Sequence, residues 1–375
     1  MLDQQSRDRD FPILRDRVYL NSAAEGIPPL AVNEAFQQYF QDKLQGMDGR
    51  ILHEAVWDDA KELIAQMYGL SSGEVSICSC SSEAYNLAYQ ALQLKAGDEL
   101  IVSDLDFPAS YSFGLQQSCP ATVKVWKSRD DWQLHLEDLQ SLMSDKTRVV
   151  SISLVSFFNG FKIPLKEVIQ TIRQHSSALI ALDVTQALGR IPLDLEDIDL
   201  VVSSTHKWIL ASHGGGLVGV PSSRAKEWTV PAGGWFNLKD AFGEQRFEKA
   251  ESLPGAASFT VGMPNYPAVY AIRAGLKYIA DTGVEKINQA TMPLVEACLE
   301  GLKELPVELI SPKQAENLAG IIAFRHPDAE RVYQHLHSKQ IHPMYHAGRI
   351  RVALHGYNTM ADVETFLREL KQGLS

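Results

Sequence analysis

Cysteine is scarce in this chain: four residues of 375, at Cys78, Cys80, Cys119 and Cys298. That is too few for a disulfide scaffold. Cys78 and Cys80 stand as C-x-C, not the C-x-x-C of redox and zinc sites, and no second cysteine pair follows. No metal centre is therefore expected. Long apolar runs are also lacking, and none approaches the roughly 20 residues that span a bilayer. The opening MLDQQSRDRDF has no apolar stretch of the kind a secretion signal needs. Positive charge is in deficit, with 35 Lys and Arg against 46 Asp and Glu, a net −11. Such a balance repels phosphate backbones and disfavours nucleic acid as a partner. No early strand carries G-x-G-x-x-G, and the GGGLVG run near residue 214 comes too late to signal a dinucleotide fold. The expectation is a cytoplasmic protein with reduced thiols and no membrane or nucleic-acid partner.

What is present is ordinary globular material, 45% hydrophobic and 22% charged, long enough for two α/β lobes. Short, β-rich apolar runs recur at Val75–Cys78, Glu99–Ser103, Val149–Leu154, Ala178–Leu182 and Leu200–Ser203. They are continuous rather than alternating and are separated by helical stretches such as Leu165–His175. That pattern predicts a mostly parallel sheet covered on both faces, with ligands at the carboxyl ends of its strands. Beyond Pro264 the texture changes. A long helix is predicted over Tyr266–Ala280, then strand Gly320–Phe324, helix Ala329–Ser338 and strand Ile350–Leu354. A last helix is opened by the Thr359/Asp362 capping box. The division expected is a large domain over 1–264 with the N-terminal segment, and a connecting helix plus small α+β domain over 265–375. The Pro- and Gly-rich stretches Pro231–Gly234 and Pro254–Pro264 read as surface loops.

The densest chemical signal lies between residues 178 and 216. Asp183 ends one apolar strand, Gln186 follows about one turn later, and a second strand leads into Ser204, Thr205, His206 and Lys207. Two strand ends thus bring a carboxylate and an amine to one sheet edge. A lysine amine can form a Schiff base with an aldehyde cofactor. A carboxylate keeps a pyridine nitrogen protonated, which the electron sink of pyridoxal 5'-phosphate (PLP) requires. Taken singly, an aspartate at a strand end is often a helix cap and a lone lysine is usually solvated. Their joint placement after two buried strands favours chemistry.

D-x-x-Q followed by S-x-H-K resembles the class V aminotransferase branch of fold-type I PLP enzymes. That branch includes cysteine desulfurases, kynureninase-like enzymes and isopenicillin-N-epimerase-like proteins. The likeness runs from YLNSAAEGIPP to RVALHGYNT. It implies an α/β fold-type I PLP-transferase and a homodimer, with a small-molecule α-amino acid as substrate. It further implies Asp183 at the pyridine nitrogen, Gln186 at the ring oxygen, Ser204 and His206 on the phosphate, and Lys207 as the Schiff-base lysine. CSCSSEAYN resembles the family's G-T-T-E-A-I-N turn, which puts Ser81 and Ser82 in a phosphate cradle at a helix N-terminus. Phe107 stands where relatives stack an aromatic on the cofactor ring. Arg351 precedes Tyr357 by the family's six-residue spacing and would hold the substrate carboxylate, with Arg349 as its neighbour.

Three departures narrow the expectation. The stretch IHPMYHAGRIR, where desulfurases carry a catalytic cysteine, has none; Met263 replaces the threonine of the family's F-E-x-G-T-P-N; Phe157 replaces an asparagine. The function expected is a PLP enzyme of aminotransferase-like or Cβ–S lyase type. An epimerase or kynureninase-like hydrolase ranks next and a cysteine desulfurase last, with a non-catalytic binding protein as a different class.

Overall fold

Six of the seven strands of one large sheet run in the same direction, because most connections between them cross over rather than turn back. The computed structural model describes the whole chain, Met1–Ser375. Its large-sheet strands are β1 (Val75–Cys78), β2 (Glu99–Ser103), β3 (Thr122–Trp126), β4 (Thr147–Ser153), β5 (Leu179–Asp183), β6 (Leu200–Ser204) and β7 (Gly216–Gly219). Their order across the sheet is β1-β7-β6-β5-β4-β2-β3. Only β7 is reversed, pairing antiparallel with β1 and β6. The chain between β6 and β7 is too short for a crossover, so β7 must return alongside β6. The sequence reading missed this strand inside its glycine-rich run, and also the edge strand β3.

β1, β5, β6 and β7 are buried along their whole length, which is why they read as unbroken apolar runs. Alternation still assigns the faces. Ile180 and Leu182 of β5 enter the core packed against helices Gly49–Tyr68, Leu165–His175 and Tyr266–Thr282. Leu179 and Ala181 enter the opposite core with helix Ser81–Leu92. Asp183, two residues beyond Ala181, ends the strand on that second face.

A smaller antiparallel sheet, ordered β10-β11-β9-β8, comprises β8 (Glu308–Leu309), β9 (Ile321–Arg325), β10 (Met344–His346) and β11 (Arg349–Ala353). It packs against helices Val284–Lys303, Ala329–Ser338 and Met360–Leu374 around a core holding Ile322, Phe324, Val352 and Phe366. The capping box at Thr359 and Asp362 forms as the sequence implies. Parts of the N-terminal segment also join this lobe, while Phe11 and Leu14 pack near Leu210 of the large one. Leu20 joins the small lobe's core, Val18–Tyr19 pairs with Ile341–His342, and Arg7 meets buried Asp362 at 3.2 Å.

The Pro254–Pro264 stretch, read as a surface loop, is largely internal. Gly255–Phe259 forms a buried 3-10 turn under β1. Its polar groups are met by neighbours: Thr260 shares a hydrogen bond with Ser76, and the Phe259 carbonyl accepts from Cys78. Satisfied backbone groups are what allow such a loop to be buried.

Candidate active site

The carboxyl ends of five parallel strands converge on one pocket. It is lined by Ser81 after β1, Phe107 after β2, Ser153, Val155 and Phe157 at β4, Asp183, Thr185 and Gln186 at β5, and Ser204, His206 and Lys207 at β6. Seven of the residues singled out from sequence are brought together here. Ser82 lies just outside it, exposed on the first helical turn, and Arg351 approaches from the small lobe.

Lys207 is strongly perturbed by its surroundings. Burial pushes its ammonium down to about 8, against the pull of Asp183, while Arg351 lowers it further. Its Nζ sits 5.2 Å from the centre of the Phe107 ring. The segment around it is held close: the Gly26 N–H donates to the His206 carbonyl at 2.8 Å, and a Cβ on Gly26 would lie 1.9 Å from the Lys207 carbonyl oxygen. Only glycine admits that approach.

Asp183 is buried, and desolvation raises its pKa. The Thr185 N–H, which donates to its Oδ1 at 2.7 Å, and the charge of Lys207 oppose that rise. Gln186 is fixed at both ends of its amide, donating to the Ala23 carbonyl at 3.0 Å and accepting from the Trp208 indole at 2.6 Å. Phe107 is 43% exposed. It is therefore no core residue but a pocket wall, set edge-on to Phe157 with ring centres 5.1 Å apart.

Arg351, on β11, is buried and forms no ion pair. It donates to the Phe157 carbonyl at 2.7 Å and to Asn21 at 3.4 Å, and its Nε has no partner. Burial, reinforced by Arg349, pushes it down to about 9, which still leaves it charged at neutral pH. Arg349 instead lies 4.1 Å over the Phe158 ring and donates to the Phe158 carbonyl, turned one residue farther along the same loop.

Sequence reasoning passed over several groups beneath the pocket. Asp106 is buried between β2 and β4, accepting from the Ser103 and Ser153 N–H groups at 2.8 Å each. Burial drives it up to about 7. It pins the turn that presents Phe107, and the motif DLDFPAS offered two aspartates without saying which turned inward. Tyr85, on the second turn of helix Ser81–Leu92, is buried with an unpartnered hydroxyl on the face that Asp183 shares.

The donor set fits PLP. The Ser204 hydroxyl is buried, lines the pocket and has no partner, so an acceptor is missing there. Ser81 and Ser82 open a helix whose first N–H groups have no intrahelical acceptor. That turn packs so tightly on β7 that a Cβ on Gly216 would come within 2.3 Å of the Cys80 backbone. Met263 borders a neighbouring depression with Ser79 and Glu83 and is 44% exposed.

Comparison with known proteins agrees. The family pattern described as aminotransferase class V matches residues 18–366. A probable cysteine desulfurase of Pasteurella multocida is 26% identical over 97% of this chain and 91% of its own length. An uncharacterized aminotransferase of Bacillus subtilis is 25% identical over 96% of this chain and 95% of its own length. Among solved structures, the apo cysteine desulfurase of Thermococcus onnurineus superposes with a TM-score of 0.89 at 20% identity, covering 99% of this chain and 98% of that one. The cystine C–S lyase C-DES, in complex with its product cysteine persulfide, gives 0.87 at 21% identity, covering 96% and 99%. The shared architecture is that of fold-type I. The chain belongs to the class V aminotransferase family and is a PLP-dependent enzyme.

Proposed function

We propose that this enzyme is a Cβ–S lyase for an α-amino acid of the cysteine or cystine type, with Lys207 as its base, Arg351 as its carboxylate anchor and no enzyme thiol. The observation that carries the reading is a buried, unpaired guanidinium beside a pocket that also holds a desolvated lysine, on a 341–351 segment without cysteine. The sulfur substrate is supported by the names of the relatives.

Asp183 and Gln186 would hold the cofactor ring from β5, with Phe107 against its face, and Ser81, Ser82, Ser204 and His206 would hold its phosphate. When bound, PLP supplies an electron sink next to the substrate Cα. Arg351 fixes the substrate carboxylate, and the Phe107–Phe157 wall excludes water. The Lys207 amine, neutral above about pH 8, takes the Cα proton. The freed electron pair forms the Cα–Cβ double bond as the Cβ–S bond breaks, and sulfur leaves as thiolate or persulfide. Hydrolysis of the unsaturated amine then gives pyruvate and ammonia. No redox partner is required.

A cysteine desulfurase is the second reading, favoured by the relatives' names and by one exposed thiol, Cys80. Cys80 caps helix Ser81–Leu92 at the cradle end of the pocket, away from Arg351. Cys78 and Cys298 are buried, with burial pushing Cys298 up to about 12.

Arg351→Ala is expected to raise KM for amino acids roughly ten- to a hundredfold, the cost of losing a charge-assisted pair of about 1.5–3 kcal/mol. The matching decarboxylated amines should hardly be affected. A Cys80→Ser/Cys119→Ser variant should still release pyruvate and sulfide from cysteine. Release of alanine instead of pyruvate, lost in that variant, would transfer the assignment to a desulfurase.

We also read the protein as a homodimer. Phe36 and Phe40 on helix Leu30–Lys43, Leu44 and Met47 in the turn after it, and Ile51 on helix Gly49–Tyr68 are all exposed, the kind of apolar cluster that marks an interface. Sedimentation as a monomer at micromolar concentration would contradict this.

A further inference from the structure

We propose that Glu25, His206 and His213 form a binding site for a divalent transition metal ion of the Zn2+ class at the mouth of the pocket. The imidazoles of His206 and His213 stack with centres 4.3 Å apart and planes 16° from parallel. The Glu25 carboxylate lies 3.0 Å from the His213 Nε2. One ligand atom from each of the three lies within 4.8 Å of the others. Tetrahedral zinc with bonds of about 2.0–2.1 Å needs its ligand atoms roughly 3.3 Å apart. The gap is a side-chain rotation, and the side chains of Glu25 and His213 are 55% and 69% exposed and free to make it.

The backbone beneath is prearranged. Gly26 is hydrogen-bonded to the His206 carbonyl, which locks the Glu25 segment onto the lysine turn. The Thr205 hydroxyl bonds to the Ser212 carbonyl at 2.7 Å and the Gly215 carbonyl at 3.2 Å, closing the loop that carries His213 back over His206. Two imidazoles and one carboxylate are a borderline-soft donor set that suits zinc and leaves a fourth position for water. One ring nitrogen of His206 would bind the ion and the other would face the cofactor phosphate, so the site needs neither substrate nor the lyase reading.

Zn2+ titrated into the purified holoenzyme against a chromophoric chelator is expected to show one bound equivalent per chain. Affinity should fall at least tenfold in Glu25→Gln and in His213→Ala, both surface changes that leave the fold intact, and in His206→Gln. His337 and His342, whose rings lie 4.7 Å apart, are the competing pair, and His342→Ala should leave the affinity unchanged. Absence of binding overturns the proposal, as does equal affinity in the Glu25 and His213 variants, or loss of binding in His342→Ala.

Discussion

Lys207→Ala is expected to reduce turnover of any amino acid to the limit of detection while leaving the fold intact. In the proposed mechanism the residue serves twice, as the amine that anchors the cofactor aldehyde and as the base at Cα. General-base catalysis alone contributes about 10²- to 10⁴-fold. The fold should survive because the wild-type amine is a burden on it. Its pKa is lowered in the folded chain to about 8, so below that value the folded state bears a poorly solvated charge that the unfolded chain hydrates freely. Folded-state stability from this group is thus least at neutral pH and rises as pH passes from about 8 towards the ordinary lysine value. The apo variant should unfold at a temperature no lower than wild type at pH 7. Among the lysines of the wild-type apoprotein, amine-directed labelling should mark Lys207 at the lowest pH, half-maximally near pH 8. Substantial activity in the alanine variant, measured as keto-acid release, would refute the assignment.

Asp183→Ala is expected to bind cofactor yet turn over slowly. Breaking a buried charge pair costs about 3–5 kcal/mol, equivalent to a loss in rate of roughly a hundredfold to several thousandfold at about 1.4 kcal/mol per decade. The loss should fall on kcat at saturating cofactor, because in the proposed role the carboxylate would keep the ring nitrogen protonated rather than hold the phosphate. The Thr185 N–H that caps Asp183 at 2.7 Å orients the carboxylate, so Asp183→Asn should keep the geometry and lose the charge. Near-normal kcat in the asparagine variant would sink the role. A comparable fall in both variants would place the effect in charge rather than in packing.

Much of this site was legible in the chain because strands and their ends are local features. Continuous apolar runs marked β1, β2 and β4–β6, and the residues just past them marked the pocket floor. Period-two alternation is fixed by the backbone, so Asp183 had to follow Ala181 onto the face of helix Ser81–Leu92. Phe107 was ambiguous in sequence, since an aromatic after a strand is usually core, and its exposure beside Lys207 resolves it.

The remainder depended on packing between distant segments, which no local pattern encodes. β7 is reversed only because the turn carrying Lys207 is short, and its glycines hid it from propensity. Part of the N-terminal segment settles on the small lobe because Leu20 finds a core there. Asp106, not Asp104, turns inward because two strand-end N–H groups await an acceptor. Glu25 meets His213 across 188 residues of chain, and Arg351 meets the Phe157 carbonyl across 194. The sequence by itself determined five of the seven large-sheet strands and the side chains that stand at their ends, because those follow from backbone periodicity. Tertiary structure alone decided which buried charges go unpaired, because a guanidinium lacks a partner only once every other segment has taken its place.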